Sequence, residues 1–412
     1  MTDHATMRFK IKNFRSVADG DLDIRPITVL TGSNGAGKSS FMYGIMALRN
    51  ILANANQPPD NFFNFGFVNL GGIKEVITGK DTHKPIELGC YYSDSNQESS
   101  YTARMGPSSF LRLKVEKPYK VDLKLDISFP YPLVQNATQE ILWDNKKYRF
   151  IFNGITLSVV PTTGDARSDP TIAELERYAH TPQVTMRFSE YVDVKRGFFR
   201  NIYAPLGATA TAGEDEVASF LVSDRDLEAK VSLALEKMIN KSFAARHTAL
   251  GASTFYLQTT DRETGFVCDL VNEGFGINQL VYLLAKALRR DVWLVCIEEP
   301  ETHLHPEALT KLAEQLLRIT KSEPKRFLIA SHSEHFVVSL LNLVAQGKAT
   351  TDDIGIHFVA KDENNLTKIA EQKVNEKGQI EGGLRSFYEP GIRALEDFLG
   401  SHHDPEHVNP AK

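Results

Sequence analysis

Hydrophobic and polar positions alternate with a period of two over residues 7–24 (MRFKIKNFRSVADGDLDI), which predicts two strands joined by a turn at Gly20. An unbroken apolar run at Ile27–Leu30 predicts a buried strand, followed by a glycine-rich loop and a helix to about Ala53. Residues 54–65 (NANQPPDNFFNF) read as loop, and Phe67–Ile77 returns toward regular structure. From Pro85 to about Val160, six short alternating runs, among them ELGCYY, SFLRLKV, VDLKLDISF and YRFIFN, predict an antiparallel sheet. Residues 161–180 read as loop and then a short helix. Asp215–Leu250 reads as helical, with Leu221, Leu227, Val231, Leu233, Leu235 and Met238 as a stripe suited to a core. A hairpin is predicted over 253–271 around Asp261–Gly265, then a helix over Gly276–Arg290. The run Val292–Ile297 (VWLVCI) has the unbroken apolar character of a parallel strand covered on both faces. A helix from Pro306 to Thr320, a strand at Arg326–Ala330, a helix at Glu334–Ala345 and a strand pair at 354–361 and 366–373 follow. A short amphipathic helix at Pro390–Leu399 and a polar tail complete the pattern.

The loop after Leu30 carries the first chemistry. Gly32, Ser33, Asn34, Gly35, Ala36, Gly37, Lys38, Ser39 and Ser40 have the spacing Gly32-x4-Gly37-Lys38-Ser39 of a P-loop, between a strand and a helix. Glycines there let successive backbone N–H groups turn onto a polyphosphate, and the positive end of the following helix faces the same anion. Lys38 can neutralise β- and γ-phosphate charge, and the Ser39 hydroxyl can ligate Mg²⁺. Glu298 and Glu299 end the strand VWLVCI. Acidic side chains at the carboxyl edge of a buried α/β strand face the crevice where such sheets bind ligands. Glu298 suits a metal held through water, and Glu299 suits a base for an attacking water.

Bulk properties narrow the setting. The 412 residues, 42% of them hydrophobic, suffice for two or three domains. A net charge of −5 gives no general attraction to nucleic acid or anionic membrane. Cys90, Cys268 and Cys296 form no metal-like spacing and suit a reducing cytosol. The first residues lack a signal-peptide core and no 18-residue apolar run occurs, so a cytoplasmic protein without a membrane partner is expected. His303 and His305 have a ligand-like spacing but sit against the helix start at Pro306, which argues against zinc. Lys114, Lys117, Lys120, Lys124, Lys146 and Lys147 in the β-rich region suit either a solvated sheet face or phosphate contacts.

The segment Glu298-Glu299-Pro300-Glu301-Thr302-His303-Leu304-His305-Pro306 resembles the EEPExHLHP segment of ABC-type ATPases in the OLD and SMC/RecF-like branch. The resemblance implies that Glu298 is the Walker B metal partner and Glu299 the catalytic base, and that HLHP is a D-loop crossing a dimer interface. Ile329–Ser333 resembles the switch strand, which implies that His332 senses the γ-phosphate. Asn272–Leu280 (NEGFGINQL) stands where the signature motif precedes a helix, in a GxGxxQ form. That implies that Gly274, Gly276 and Asn278 act on the nucleotide of a partner subunit. Lys12–Val17 (KNFRSV) and Asn69–Val76 (NLGGIKEV) are similar to further segments of the family. Glu298 stands where the family usually has Asp, and only Gln57 offers itself as a Q-loop glutamine. About 80 residues follow His332, and the last strands and helix use them, so no Toprim nuclease domain is expected; nor are coiled-coil arms.

The expected fold class is α/β, a P-loop NTPase with an ABC-type core of parallel sheet flanked by helices, plus an antiparallel β lobe and a helical insertion. Its expected division places the first half of the core at 1–80, the β-rich lobe at 81–160 and the helical insertion at 161–252. The second half of the core, at 253–400, precedes a polar tail at 401–412. The expected cofactors are ATP and Mg²⁺, with hydrolysis driving closure of a head-to-tail dimer or higher oligomer. Two roles remain open: an ATPase that senses a trigger and controls a separate effector such as a nuclease or toxin in anti-phage defence, or a DNA-binding RecF/SMC-like clamp.

Overall fold

The computed structural model describes residues 5–129, 135–163, 169–205 and 213–383. Strands β1 (Thr6–Phe14) and β2 (Val17–Ile24) are joined by a tight turn at Arg15 and Ser16, not at Gly20. Gly20 instead pairs with Ile11 inside β2, where a Cβ would stand 3.0 Å from the Phe41 ring. Strand β3 (Ile27–Thr31) leads through the P-loop into α1 (Lys38–Ala53), and α2 (Ile73–Val76) is a single turn. Strands β4 (Ile86–Ser93), β5 (Glu98–Met105), β6 (Phe110–Lys117) and β7 (Val121–Asp126) extend β1 and β2 into one six-stranded sheet, ordered β2-β1-β4-β5-β6-β7. The β-rich region is therefore continuous with the chain's first strands. Strands β8 (Ala137–Trp143), β9 (Lys146–Phe152) and β10 (Leu157–Pro161) form a separate antiparallel sheet.

The stretch expected to be helical departs in two ways. After α3 (Pro170–Arg187), the four-residue strand β11 (Ser189–Val192) joins the central sheet beside the strand that carries Glu298. Then α4 (Glu214–Ser223) and α5 (Arg225–Ile239) are separated by Asp224, whose side chain caps α5 through the N–H groups of Asp226 and Leu227. Asn240, at φ 56°, ends α5, and the chain continues as β12 (Lys241–His247), paired with β13 (Phe255–Asp261), which pairs in turn with β14 (Val267–Asp269). A left-handed Asn is a helix stop that apolar periodicity alone does not reveal.

The remaining elements follow the sequence pattern closely: α6 (Phe275–Ala287), β15 (Leu294–Glu298), α7 (Pro306–Ser322), β16 (Arg326–Ala330), α8 (Glu334–Ala345), β17 (Ile354–Lys361) and β18 (Thr367–Gln372). The expected helix at Pro390–Leu399 and the tail lie outside the described residues. The central sheet runs β11-β15-β16-β3-β17-β18, parallel throughout except for the antiparallel β17–β18 edge. Its inner strands β3, β15 and β16 are mostly apolar and almost wholly buried because both faces are covered. Leu30, Cys296 and Leu328 point into a cluster with α1, α3 and the six-stranded sheet. Val29, Ile297 and Ile329 point into a second cluster with α5, α6, α7 and α8.

One polar network crosses this core. The Glu190 carboxylate on β11 is 3.0 Å from Lys286 and 2.9 Å from Arg289, both reached from the α6 side, and 4.0 Å from Arg49 on α1. Burial pushes the Glu190 carboxyl up, but Lys286, Arg49 and Arg289 together hold it below the usual carboxylate range. Removing one partner of such a group leaves buried charge uncompensated. Glu190→Ala is therefore expected to lower folding stability by roughly 3–5 kcal/mol. The depressed carboxyl makes the wild-type advantage present above the ordinary carboxylate range and lost as pH falls through it. Denaturant unfolding at neutral and acid pH measures this; equal stabilities at neutral pH would exclude it.

Candidate functional site

The registers of three neighbouring parallel strands place the candidate residues at one edge. Glu298 is level with Ala330 across β15 and β16, and Ala330 is level with Leu30 across β16 and β3. The residues that follow each strand (Gly32, Ser331–His332 and Glu299) therefore emerge side by side at the carboxyl end of the sheet. The Glu299 N–H donates to the Ala330 carbonyl at 2.8 Å, and the Ser331 N–H to the Leu30 carbonyl at 3.1 Å, which ties the three loops together.

The P-loop is shaped by two close approaches. A Cβ on Gly32 (φ 141°) would lie 2.0 Å from the Val359 carbonyl oxygen, and one on Gly37 (φ 109°) 2.1 Å from Thr367 Oγ1. Thr367 is buried and donates to the Ala36 carbonyl at 2.8 Å, with Ser16 Oγ 2.6 Å from its hydroxyl. The loop is thus braced by residues from both ends of the chain. Gly35 (φ 75°) faces open space. Lys38 opens α1, is buried, and donates to the carbonyls of Gly32 at 2.9 Å and Ser33 at 3.0 Å. Burial lowers its proton affinity, while Glu299, Glu298 and Glu301 oppose that.

A cavity of about 760 Å³ opens over this edge. Asn34, Gly35, Gly37, Lys38, Ser39, Ser40, Glu298, Glu299 and His332 all line it. Glu298 is buried; burial raises its carboxyl pKa, and the Ser39 side chain beside it pulls the other way. Glu299 sits at φ 42°, a left-handed backbone rare for a non-glycine residue, and its carboxylate is 4.0 Å from His332 Nε2. Burial and then Lys38 lower the His332 pKa, so its imidazole is neutral at pH 7. The cavity also holds Arg15, Tyr43, Lys80 and Lys361, so cations face it from several sides. The Arg15 guanidinium lies 5.2 Å above the Tyr43 ring.

The structure does not bring the signature-like segment to this cavity. Gly274, Gly276 and Asn278 do not line it. Asn278 is corrected outright as a nucleotide contact. Its side chain is buried, accepting from Phe198 N–H at 2.7 Å and donating to the carbonyls of Phe198 at 2.8 Å and Leu270 at 3.0 Å. A Cβ on Gly276 would lie 2.3 Å from the His303 carbonyl oxygen, so this glycine lets α6 meet the 303 turn of its own subunit. Gly274 has nothing within 4 Å of an added Cβ and stands free at the start of α6.

Sequence reasoning missed several participants. Glu301 accepts from the Ser331 hydroxyl at 3.0 Å and from the His332 N–H at 2.7 Å, which fixes the loop after β16. Arg196 donates to the carbonyls of Glu298 and Glu299, both at 2.8 Å. Thr367 and the β17–β18 tip, Asn364–Leu366, come from a stretch with no motif. Of these, Glu301 stands inside the quoted segment Glu298–Pro306, as the cavity residue Arg15 stands inside Lys12–Val17, while Arg196 and Thr367 carried no signal.

The sequence pattern of a family described as "AAA domain, putative AbiEii toxin, Type IV TA system" matches residues 27–339, more than half of the chain. The chain belongs to this AAA-domain family. The same fold is seen in the SMC head bound to the C-winged helix domain of ScpA. With that structure the AAA-domain chain shares a TM-score of 0.50 and 11% identity over 89% of itself and 98% of that chain. That likeness shows the P-loop NTPase fold. The SMC head domain from Thermotoga maritima gives a TM-score of 0.45 at 10% identity, over 90% of this chain and 99% of that one. A large ribosomal subunit protein bL9 of Ruegeria is 29% identical over 196 residues, covering 44% of this chain and 87% of that protein. The bL9 match covers under half of the AAA-domain chain and says nothing of its activity.

Two expectations follow for the AAA-domain protein. Lys38→Ala removes the ammonium buried in the loop and should abolish nucleotide binding or weaken it severely, read by titration with a fluorescent nucleotide; near-normal affinity would refute the site. The raised Glu298 carboxyl means that its ionisation costs folding stability above the ordinary carboxylate range. Glu298→Gln should therefore melt higher than wild type at neutral pH without metal, and lose its response to Mg²⁺ with nucleotide. An unchanged melting temperature without metal would refute the electrostatic assignment.

Proposed function

We propose that this protein is a Mg²⁺-dependent ATPase, in which nucleotide-driven closure of a head-to-tail dimer controls a separate effector. The observation that carries the reading is the convergence of Lys38, the Ser39–Glu298 pair and the Glu299–His332 pair on one cavity with a P-loop. In this reading Ser39 and Glu298 hold Mg²⁺, Lys38 neutralises β/γ charge, and Glu299 orients and deprotonates water for in-line attack. The neutral His332 contacts the γ-phosphate as a hydrogen-bond donor. The dimer is supported by what one subunit leaves out: Gly274 and the 62%-exposed Phe275 present the amino end of α6 to solvent, away from the subunit's own cavity. A second subunit supplies that end to the γ-phosphate.

The family description carries toxin and toxin–antitoxin terms, which fit a part in a toxin–antitoxin pair; the separate effector rests on the resemblance to OLD-like ATPases of anti-phage defence. The clamp reading draws less support. Half of the six lysines of the β-rich region are paired with acids, Lys114 with Glu116, Lys124 with Asp126 and Lys146 with Asp169, as are Arg112 with Asp122 and Arg149 with Glu140. Paired cations release few counterions from duplex DNA.

Glu299→Gln is expected to bind ATP while hydrolysing it at least a hundredfold more slowly, in line with loss of a general base, and to accumulate as a dimer. Gly274→Arg blocks the open end of α6 without meeting the 303 turn. Mixed with Lys38→Ala, it should recover part of the ATPase rate, because each mixed dimer keeps one intact site. Rate against mixing ratio, together with mass measurement in ATP, tests this. A monomeric Glu299→Gln protein in saturating ATP, or full turnover by a lone subunit, would defeat the shared-site reading.

A further inference from the structure

The loop between β11 and α4 contains a buried arginine that the proposed chemistry does not yet use. Arg196 is 2% exposed, and all its hydrogen bonds go to main-chain carbonyls: Asp193 at 3.1 Å, Glu298 at 2.8 Å and Glu299 at 2.8 Å. Its Nε is buried without a partner. Burial lowers the guanidinium pKa to about 10, against the pull of Glu301 and Asp193, so it remains charged at neutral pH. Burying a guanidinium to satisfy three carbonyls is an expensive arrangement if packing alone is the purpose. What it provides is a planar fork with two fixed directions, applied to the one peptide step where the backbone turns into the left-handed conformation of Glu299. A residue in such a conformation keeps it only when its surroundings over-determine it.

The same loop is held at its other end by α6. The Asn278 amide brackets both polar groups of Phe198, and a Cβ on Gly197 (φ 141°) would stand 2.8 Å from Asn278 Oδ1. Phe198 is buried against the Tyr282 ring of α6, with centroids 5.5 Å apart. A short strap, 193–198, thus runs from the first turns of α6 to the backbone beneath Glu299.

We infer that Arg196 is a positioning residue, which acts through the Glu298–Glu299 backbone to aim the Glu299 carboxylate, and that the strap makes this aim depend on the amino end of α6. The inference rests on the ATPase reading above. It adds a route inside each subunit from the surface offered to the partner's nucleotide to the subunit's own base. Neither Arg196 nor Asn278 lines the P-loop cavity, so the effect is expected on turnover more than on ATP affinity.

The test compares full-length wild type, Arg196→Lys, Arg196→Ala, Asn278→Ala and the Arg196→Lys/Asn278→Ala pair for ATP affinity, melting temperature and kcat. Lysine keeps the charge but offers no planar fork, so Arg196→Lys should keep ATP affinity within about threefold while kcat falls roughly a hundredfold, the scale of a 1 Å misplacement. Millimolar guanidinium should restore part of the rate to Arg196→Ala and none to Glu299→Gln. The double variant should be no slower than the slower single, because both changes cut one connection. Wild-type kcat in Arg196→Lys, additive losses in the pair, or affinity and kcat falling together with the melting temperature would each overturn the proposal. Absence of hydrolysis by wild type would instead remove the ATPase reading on which it rests.

Discussion

The level pairing of β15, β16 and β3 is the constraint on which everything else depends. Parallel strands in register deliver their carboxyl ends to the same height, and here the loops that follow them carry the candidate residues Lys38, Glu299 and His332. A one-residue slip of β15 against β16 would send Glu298 to the opposite face and withdraw it from Ser39. The apolar clusters on both faces oppose that slip, since the alternate apolar residues of β15, β16 and β3 are packed into one cluster or the other. The geometry of the candidate site is therefore a by-product of hydrophobic register, and the loops only complete it.

Much of this was legible in the residues. The P-loop, the two glutamates after an apolar strand and His332 after another were each readable, because the strands are short, unbroken and bounded by motif residues. The parallel core strands and their helices were found with near-correct bounds for the same reason. The failures have a common physical cause. Strand β11 is four residues long, and its membership of the sheet is decided by β15, a hundred residues away. Asn240 stops a helix through its φ, which an apolar stripe does not encode. Asn278 looked like a nucleotide ligand because its position in a motif was visible and its partner Phe198 was not. Arg196 and Thr367 act on backbone atoms, so no pattern of side-chain types announces them.

The glycines show why motif and geometry carry different information. Gly32, Gly37 and Gly276 each admit an atom from a distant segment to within a distance that a Cβ would forbid. Gly35 and Gly274 face open space. In the sequence all five read alike as phosphate-facing glycines. In the structure three are joints between segments, and two are surfaces at which a ligand or a second subunit can arrive.

The placement of β3 in the middle of its sheet has a consequence for how the chain is made. Its two neighbours are β16 and β17, so its sheet hydrogen bonds form only with Arg326–Lys361. During synthesis the strand bearing the P-loop leaves the ribosome first and waits with both edges unpaired while nearly three hundred further residues are added. A nascent chain consequently lacks the walls of the P-loop cavity until β16 has emerged, and an apolar strand with two bare edges is the kind of segment that chaperones protect. The order of synthesis thus leaves the cavity incomplete until β16 and the β17–β18 hairpin, both of which contribute residues to it, have been made.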